Sequence, residues 1–247
     1  MTKTLLLLAL SCSFCAQAAI TLPKLISDNM VLQRGNAITL WGYADDSETV
    51  TVQLNDTVLG QARAENGRWQ FTLPSQAPGC GHRLTFAASN NITLTDICFG
   101  DVWLASGQSN MELPMARVAE AYAADLASAN YPQIRQFTVP QQYNFDAPQH
   151  DLSSGQWQPA TAEHIAGFSA LAFYFARELF EHSAAAHDGV AIGILNNALG
   201  GSPVEAWMSE QALQSFPDAL AEGPGRQAVG LAGGEGRVVH YVISAEA

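Results

Sequence analysis

A serine does covalent chemistry only when its surroundings aim the hydroxyl, and one serine here stands where that aim is possible. Asp101-Val-Trp-Leu-Ala-Ser-Gly107-Gln108-Ser109-Asn110-Met111 reads as an apolar strand running into a glycine-bearing turn, with Ser109 just past its end. In a parallel sheet, the carboxyl end of a strand is where ligands bind. A turn there lifts the Ser109 Oγ into the crevice, and the Ser109 N–H, at a helix start, can face a developing oxyanion. Gly107 supplies the backbone freedom that a tight turn needs. The chemistry this allows is acyl transfer through a serine nucleophile. Taken alone, Gly-Gln-Ser-Asn fits a helix cap at Ser109 or Asn110 nearly as well.

A second segment has the same grammar. Ile192-Gly-Ile-Leu-Asn-Asn-Ala-Leu-Gly200-Gly201-Ser202-Pro203 is an apolar strand, a glycine turn, and a helix start with Ser202 as N-cap and Pro203 as first residue. The N–H groups of Gly200 and Gly201 could approach a bound anion closely. An ordinary strand-to-helix loop that needs glycine for its shape reads the same way.

The base that would activate Ser109 is harder to find. Residues three places before the six histidines are Gly79, Ala147, Thr161, Leu179, Ala184 and Arg237, so none sits in an Asp-x-x-His pair. His82 lies among strands, and His164, His182 and His187 flank or sit on a helix. His150, beside Asp146 and Asp151, has the only acid-rich setting, which reads as a loop. His240 lies in an atypical tail.

The elements that position these residues fall into two textures. From 19 to 98 the pattern is short and alternating. Ile38, Leu40 and Trp41 precede a turn at Ala44 to Ser47, and Val50, Val52 and Leu54 face inward. Asn55-Asp56 leads into Val58 and Leu59, Asn66-Gly67 into Trp69, Phe71 and Leu73, and Asn90-Asn91 into Ile92 and Leu94. Six or seven such strands predict a small antiparallel β-sandwich-like region. It carries no catalytic cluster; carbohydrate binding through Trp41, Tyr43 or Trp69 is its possible chemistry. From 99 to 221 the period changes. A strand at Val102 to Ala105, a helix over Met115 to Ala129, a strand at Ile134 to Val139, a helix over His164 to Ser183 and a strand at Val190 to Leu195 predict an α/β parallel sheet. Over 222–247, glycines 223, 225, 230, 233, 234 and 236 interrupt any long element, and only Val238 to Ile243 has strand content. That stretch reads as an atypical, disordered tail.

The compartment and partners follow from the ends and the charge. Lys3, the apolar run Leu5 to Leu10 and Ala16-Gln17-Ala18 predict a signal peptide over 1–18 and export to the periplasm or medium. Cleavage there leaves Cys80 and Cys98, which spacing alone permits as one disulfide or as two buried thiols. No second apolar run is long enough to span a membrane. With 11 Lys plus Arg against 23 Asp plus Glu, the net charge of −12 disfavours nucleic acid and anionic membranes. Hydrophobic residues at 48% and charged ones at 14% of 247 suit a well-buried core.

The runs Ser27-Asp-Asn-Met-Val-Leu-Gln33, Phe99 through Met111, and Asn196 through Trp207 (NNALGGSPVEAW) together resemble the sialate O-acetylesterase family of SGNH hydrolases. The likeness covers about Ile20 to Leu220. It implies an SGNH-type α/β sheet and a cofactor-free esterase that removes acetyl groups from sugar hydroxyls. Ser109 matches the nucleophile; the Gly200-Gly201 turn matches the block giving a second oxyanion donor. The family's Gln-Gly-Glu-x-Asn block and terminal Asp-x-x-His are absent, so the expectation is an N-terminal, truncated part with an incomplete sheet and impaired activity. Two rival expectations are an acetylxylan or other polysaccharide deacetylase, and an inactive fragment that at most binds carbohydrate. A sialic acid substrate would favour a site cation, for which Arg117 and Arg135 are the candidates.

Overall fold

The computed structural model describes residues 19–142, 149–185, 189–207, 212 and 214–216. The expected signal peptide 1–18, the tail 222–247, and Asp146, His187 and His240 lie outside them.

Asparagines at turn positions shape the first half. Asn55 and Asn66 take φ 54°, and Gly67 follows Asn66 at φ 76°, so the polar residues reverse the chain where β-branched ones could not. The strands between are β1 (Val31–Gln33), β2 (Ile38–Tyr43), β3 (Thr49–Leu54), β4 (Thr57–Arg63), β5 (Arg68–Leu73) and β6 (Gly79–Ala87). Strands β2 and β5 pair with each other as a small antiparallel sheet. Strand β3 pairs with β4 and β6, and its Val50, Val52 and Leu54 are buried as the alternation requires.

One long strand then joins the two textures. Strand β7 (Asn91–Gly107) runs 17 residues. Its first half pairs antiparallel with β6, residues 98–100 pair parallel with β1, and residues 101–107 pair parallel with the last described strand. Position 98/99, where the sequence texture changes, is therefore mid-strand. A side chain at Gly100 would overlap the Ala191 carbonyl, so glycine lets the last strand close on β7.

After β7 come α1 (Ser109–Glu112), α2 (Ala119–Ser128), β8 (Asn130–Thr138), β9 (Trp157–Thr161), α3 (Ala170–Ala185) and β10 (Ile192–Ala198). The sheet order is β4-β3-β6-β7-β10-β8-β9, with β1 beside β7. The fold is thus α/β, with a mixed sheet and the small β2-β5 sheet apart from it. Strand β10 is parallel to both its neighbours, while β9 adds antiparallel at the edge. Strand β9, short and carrying Pro159, left no clear pattern in the sequence.

Two expected helices differ in detail. The span His164 to Ser183 breaks into a 3-10 turn, Ile165–Gly167, and α3. Phe168 is extended there, and Ser169 caps α3 by accepting the Ala172 N–H on its Oγ at 3.2 Å. The span Met115 to Ala129 is a 3-10 turn, Met115–Val118, followed by α2, kinked at Tyr122. The Ser202-Pro203 helix start leads into a 3-10 turn, Val204–Trp207, with the Ser202 Oγ donating to the Leu199 carbonyl at 2.7 Å.

The larger core joins both halves, since Phe137, Trp157 and Leu195 pack with Trp69, Phe86 and Phe99. The second lies under α3, where Phe173 and Ala176 meet Ile134, Ile192 and Ile194. Cys80 and Cys98 form a disulfide between β6 and β7, the first of the two outcomes left open by spacing.

Candidate active site

Parallel registry brings the two glycine turns together. Ala198 pairs with Gly107, so β7 and β10 end level and release their turns side by side. Gly107 has φ 151°, which opens the turn into α1. Ser109, its first residue, is exposed, and its Oγ makes no hydrogen bond among the described residues. The first turn of α1 has amides without intrahelical acceptors, as at any helix start.

Three hydrogen bonds lace the turns to each other. The Leu199 N–H donates to the Gly107 carbonyl at 3.0 Å. The Gln108 Nε2 donates to the Ser202 carbonyl at 3.2 Å, and the Gly200 N–H donates to the Glu112 carboxylate. A Cβ on Gly200 would lie 2.7 Å from the Glu112 Oε2 and 3.4 Å from the Ser109 Oγ. Gly200 is therefore packed against the nucleophile candidate, and a side chain there would push the Glu112 carboxylate away. Gly201 is exposed, at φ 76°.

The floor of the turn is tied to α3. The Ala170 N–H donates to the Leu113 carbonyl and the Met115 N–H to the Phe168 carbonyl, at 2.9 and 2.8 Å. Buried Gln136 accepts the Ser169 N–H at 3.2 Å on its Oε1. The helix carrying Ser109 is thus fixed to the scaffold through its exit.

Among the described residues, no histidine hydrogen-bonds to Ser109. His82 pairs with Asn55 and stacks edge-on with Phe99, and His164 pairs with Thr161. His150 and Asp151 anchor their loop to the β region: the Tyr43 hydroxyl donates to the His150 carbonyl at 2.7 Å, and Asp151 accepts the Lys24 N–H. That loop role matches the sequence reading. Arg135 is buried, donates to the Asn29, Pro132 and Asp96 carbonyls, and pairs with the Asp96 carboxylate at 2.9 Å. It is spent on structure, whereas Arg117 is exposed.

Sequence reasoning missed the side chains that grip the glycine turn. Gln108 and Glu112 stand inside the motif, and the i, i+3 spacing from Ser109 to Glu112 was the available signal. Gln141, which donates to Glu112 at 2.7 Å, had none.

Residues 99–222 match the carbohydrate esterase family of sialic acid-specific acetylesterases. The chain belongs to that family. Sialate O-acetylesterases from Pongo abelii and Homo sapiens are each 29% identical to it over 230 residues, covering 83% of this chain and 43% of theirs. A crystal structure of a carbohydrate acetylesterase from Xanthomonas citri superposes with TM-score 0.72 at 35% identity, covering 81% of this chain and 45% of that one. This family member thus spans less than half the length of the curated relatives it matches.

Proposed function

We propose that this chain bears the nucleophile of a carbohydrate O-acetylesterase acting on acetylated sugars. The observation that carries the reading is the exposed Ser109 Oγ beside Gly200, at the carboxyl ends of β7 and β10. The Ser109 Oγ attacks the acetyl carbonyl carbon; the bond to the sugar oxygen breaks, and the sugar leaves with a proton. Water then attacks the acetyl-enzyme, releasing acetate and restoring the Ser109 hydroxyl. Backbone N–H groups of Ser109 and the Gly200-Gly201 turn bind the oxyanion. The step needs no metal or organic cofactor.

The Oγ proton needs an acceptor, and the sequence holds no Asp-x-x-His. Loss of the base costs a serine hydrolase about 10⁶ in turnover. Residues 1–247 by themselves are therefore expected to turn over acetyl esters slowly. The protein is exported: the 1–18 signal pattern supports this, and the Cys80–Cys98 disulfide suits an oxidising compartment.

Acetate release from O-acetylated sialic acid and from acetylated xylan tests the reading, on this chain and on a version extended to its relatives' length. In the extended version, Ser109→Ala is expected to lower release by roughly 10³-fold or more; normal turnover in that variant would sink the nucleophile assignment. Burial removes Arg135 as the cation for a sialic acid carboxylate and leaves exposed Arg117 as the remaining candidate; the polysaccharide reading needs neither. Faster release from xylan than from sialic acid is its expected signature.

A further inference from the structure

Glu112 stands one helical turn after Ser109 on the same side of α1. Both its carboxylate oxygens are engaged: Oε2 accepts the Gly200 N–H, and Oε1 accepts the Gln141 Nε2 at 2.7 Å. Residue 112 follows β7, 141 follows β8 and 200 follows β10, so one side chain fastens the exits of three neighbouring strands. A neutral acceptor would fasten them as well. A backbone amide facing a carboxylate is instead the arrangement of an anion site with its anion in place. The Ser109 Oγ borders the same spot, 3.4 Å from where a Gly200 Cβ would sit.

We propose that Glu112 is the positioning residue of this site: it holds the Gly200 amide beside Ser109 and fills, with its own oxygen, the place of an ester's acyl oxygen. The physical reason is preorganisation. An exposed amide on a glycine turn rotates freely toward water, whereas a charge-assisted hydrogen bond keeps it aimed. An entering carbonyl oxygen takes over the amide, and the carboxylate moves aside without forming any covalent bond. The inference rests on the reading of Ser109 as an acyl-transfer nucleophile, and it names the residue that readies the second donor.

The test uses the full chain labelled with ¹⁵N-glycine, the Gly200 amide identified by the peak lost in Gly200→Ala, and sodium acetate as probe. In the unaltered protein the Gly200 amide proton is expected far downfield, and Glu112→Ala shifts it upfield. Acetate then moves that peak saturably in Glu112→Ala, with affinity about tenfold above the unaltered protein, since a charge-assisted competitor is gone. Glu112→Gln keeps one acceptor oxygen and is expected between the two. An unchanged Gly200 peak in both variants overturns the proposal, as does equal acetate affinity. If Glu112→Ala loses its dispersed spectrum, Glu112→Gln decides by the same criteria; if both lose it, Glu112 is a structural prop and the proposal falls. None of these readouts needs turnover. Ser109→Ala releasing acetate normally would remove the nucleophile and leave the Gly200 shifts intact, so the two failures are distinguishable.

Discussion

Single residues here do local work that the chain pattern only partly announces. Ser109 and Gly200 were readable because strand-turn-helix segments place their last residues at a sheet's ligand-binding end. Arg135 was not, because an arginine reads as a surface or substrate group until its partners are seen. Its guanidinium serves carbonyls from three separated segments. Tyr174 is a similar case. Its hydroxyl donates to Asp125 at 2.6 Å, with the Arg177 guanidinium 4.7 Å above the ring. Desolvation first, and then that hydrogen bond, push the Tyr174 pKa above its ordinary 10.0. A raised folded-state pKa means the contribution is complete below the unfolded value and is lost as pH rises through the folded one. Tyr174→Phe is therefore expected to lose less stability than the unaltered protein as the pH rises above about 10. Urea midpoints across that range check it, and parallel curves would show that Tyr174 is not the group responsible.

At the scale of elements, β7 decides the architecture. The sequence separates an alternating region from an α/β region, and both textures are real. A sequence pattern does not say whether a strand stops between them, and β7 does not stop. Crossing from one neighbour set to the other demands close approach at Gly100, where any Cβ meets the Ala191 backbone. Gly100→Ala is expected to cost about 1–3 kcal/mol, as overpacking does. Chemical denaturation measures this, and the cost should exceed that of an alanine at Gly67, where a Cβ has open space and only the φ of 76° opposes it. A smaller loss at Gly100 than at Gly67 would mean the β7–β10 junction relaxes without penalty.

For the molecule as a whole, the parallel half is open along one side of β7 among the described residues. Asp101 and Gly107 hydrogen-bond toward β10, so the alternate residues face the other way. The Val102 N–H meets the Gln33 side chain at 3.0 Å, while the backbones of Leu104 and Ser106 have no partner strand among the described residues. Leu104 is 60% exposed and Trp103 44%, with Trp103 packed edge-on against Phe175 at 5.2 Å. An apolar, unpaired edge is a template for pairing between chains. Leu104→Lys is expected to lower self-association with little effect on the midpoint of unfolding. Light scattering against concentration checks this, and unchanged scattering would place the association surface elsewhere.

Local pattern determined a good deal: alternation for the β region, glycine-bearing strand ends for the two turns, and the family through motifs at Ser27–Gln33, Ser109 and Gly200. These are contacts between near neighbours or habits of backbone, so residue type and spacing carry them. Only the tertiary structure decided that β10 slides between β7 and β8, which brings residues 109 and 200 together across most of a hundred positions. It also decided that Cys80 meets Cys98, that Arg135 is spent, and that Glu112 rather than solvent holds the Gly200 amide. Strand order and side-chain partnership are long-range choices among alternatives of similar local energy. Packing of the whole core selects between them, and that information is not written in any one stretch of the chain.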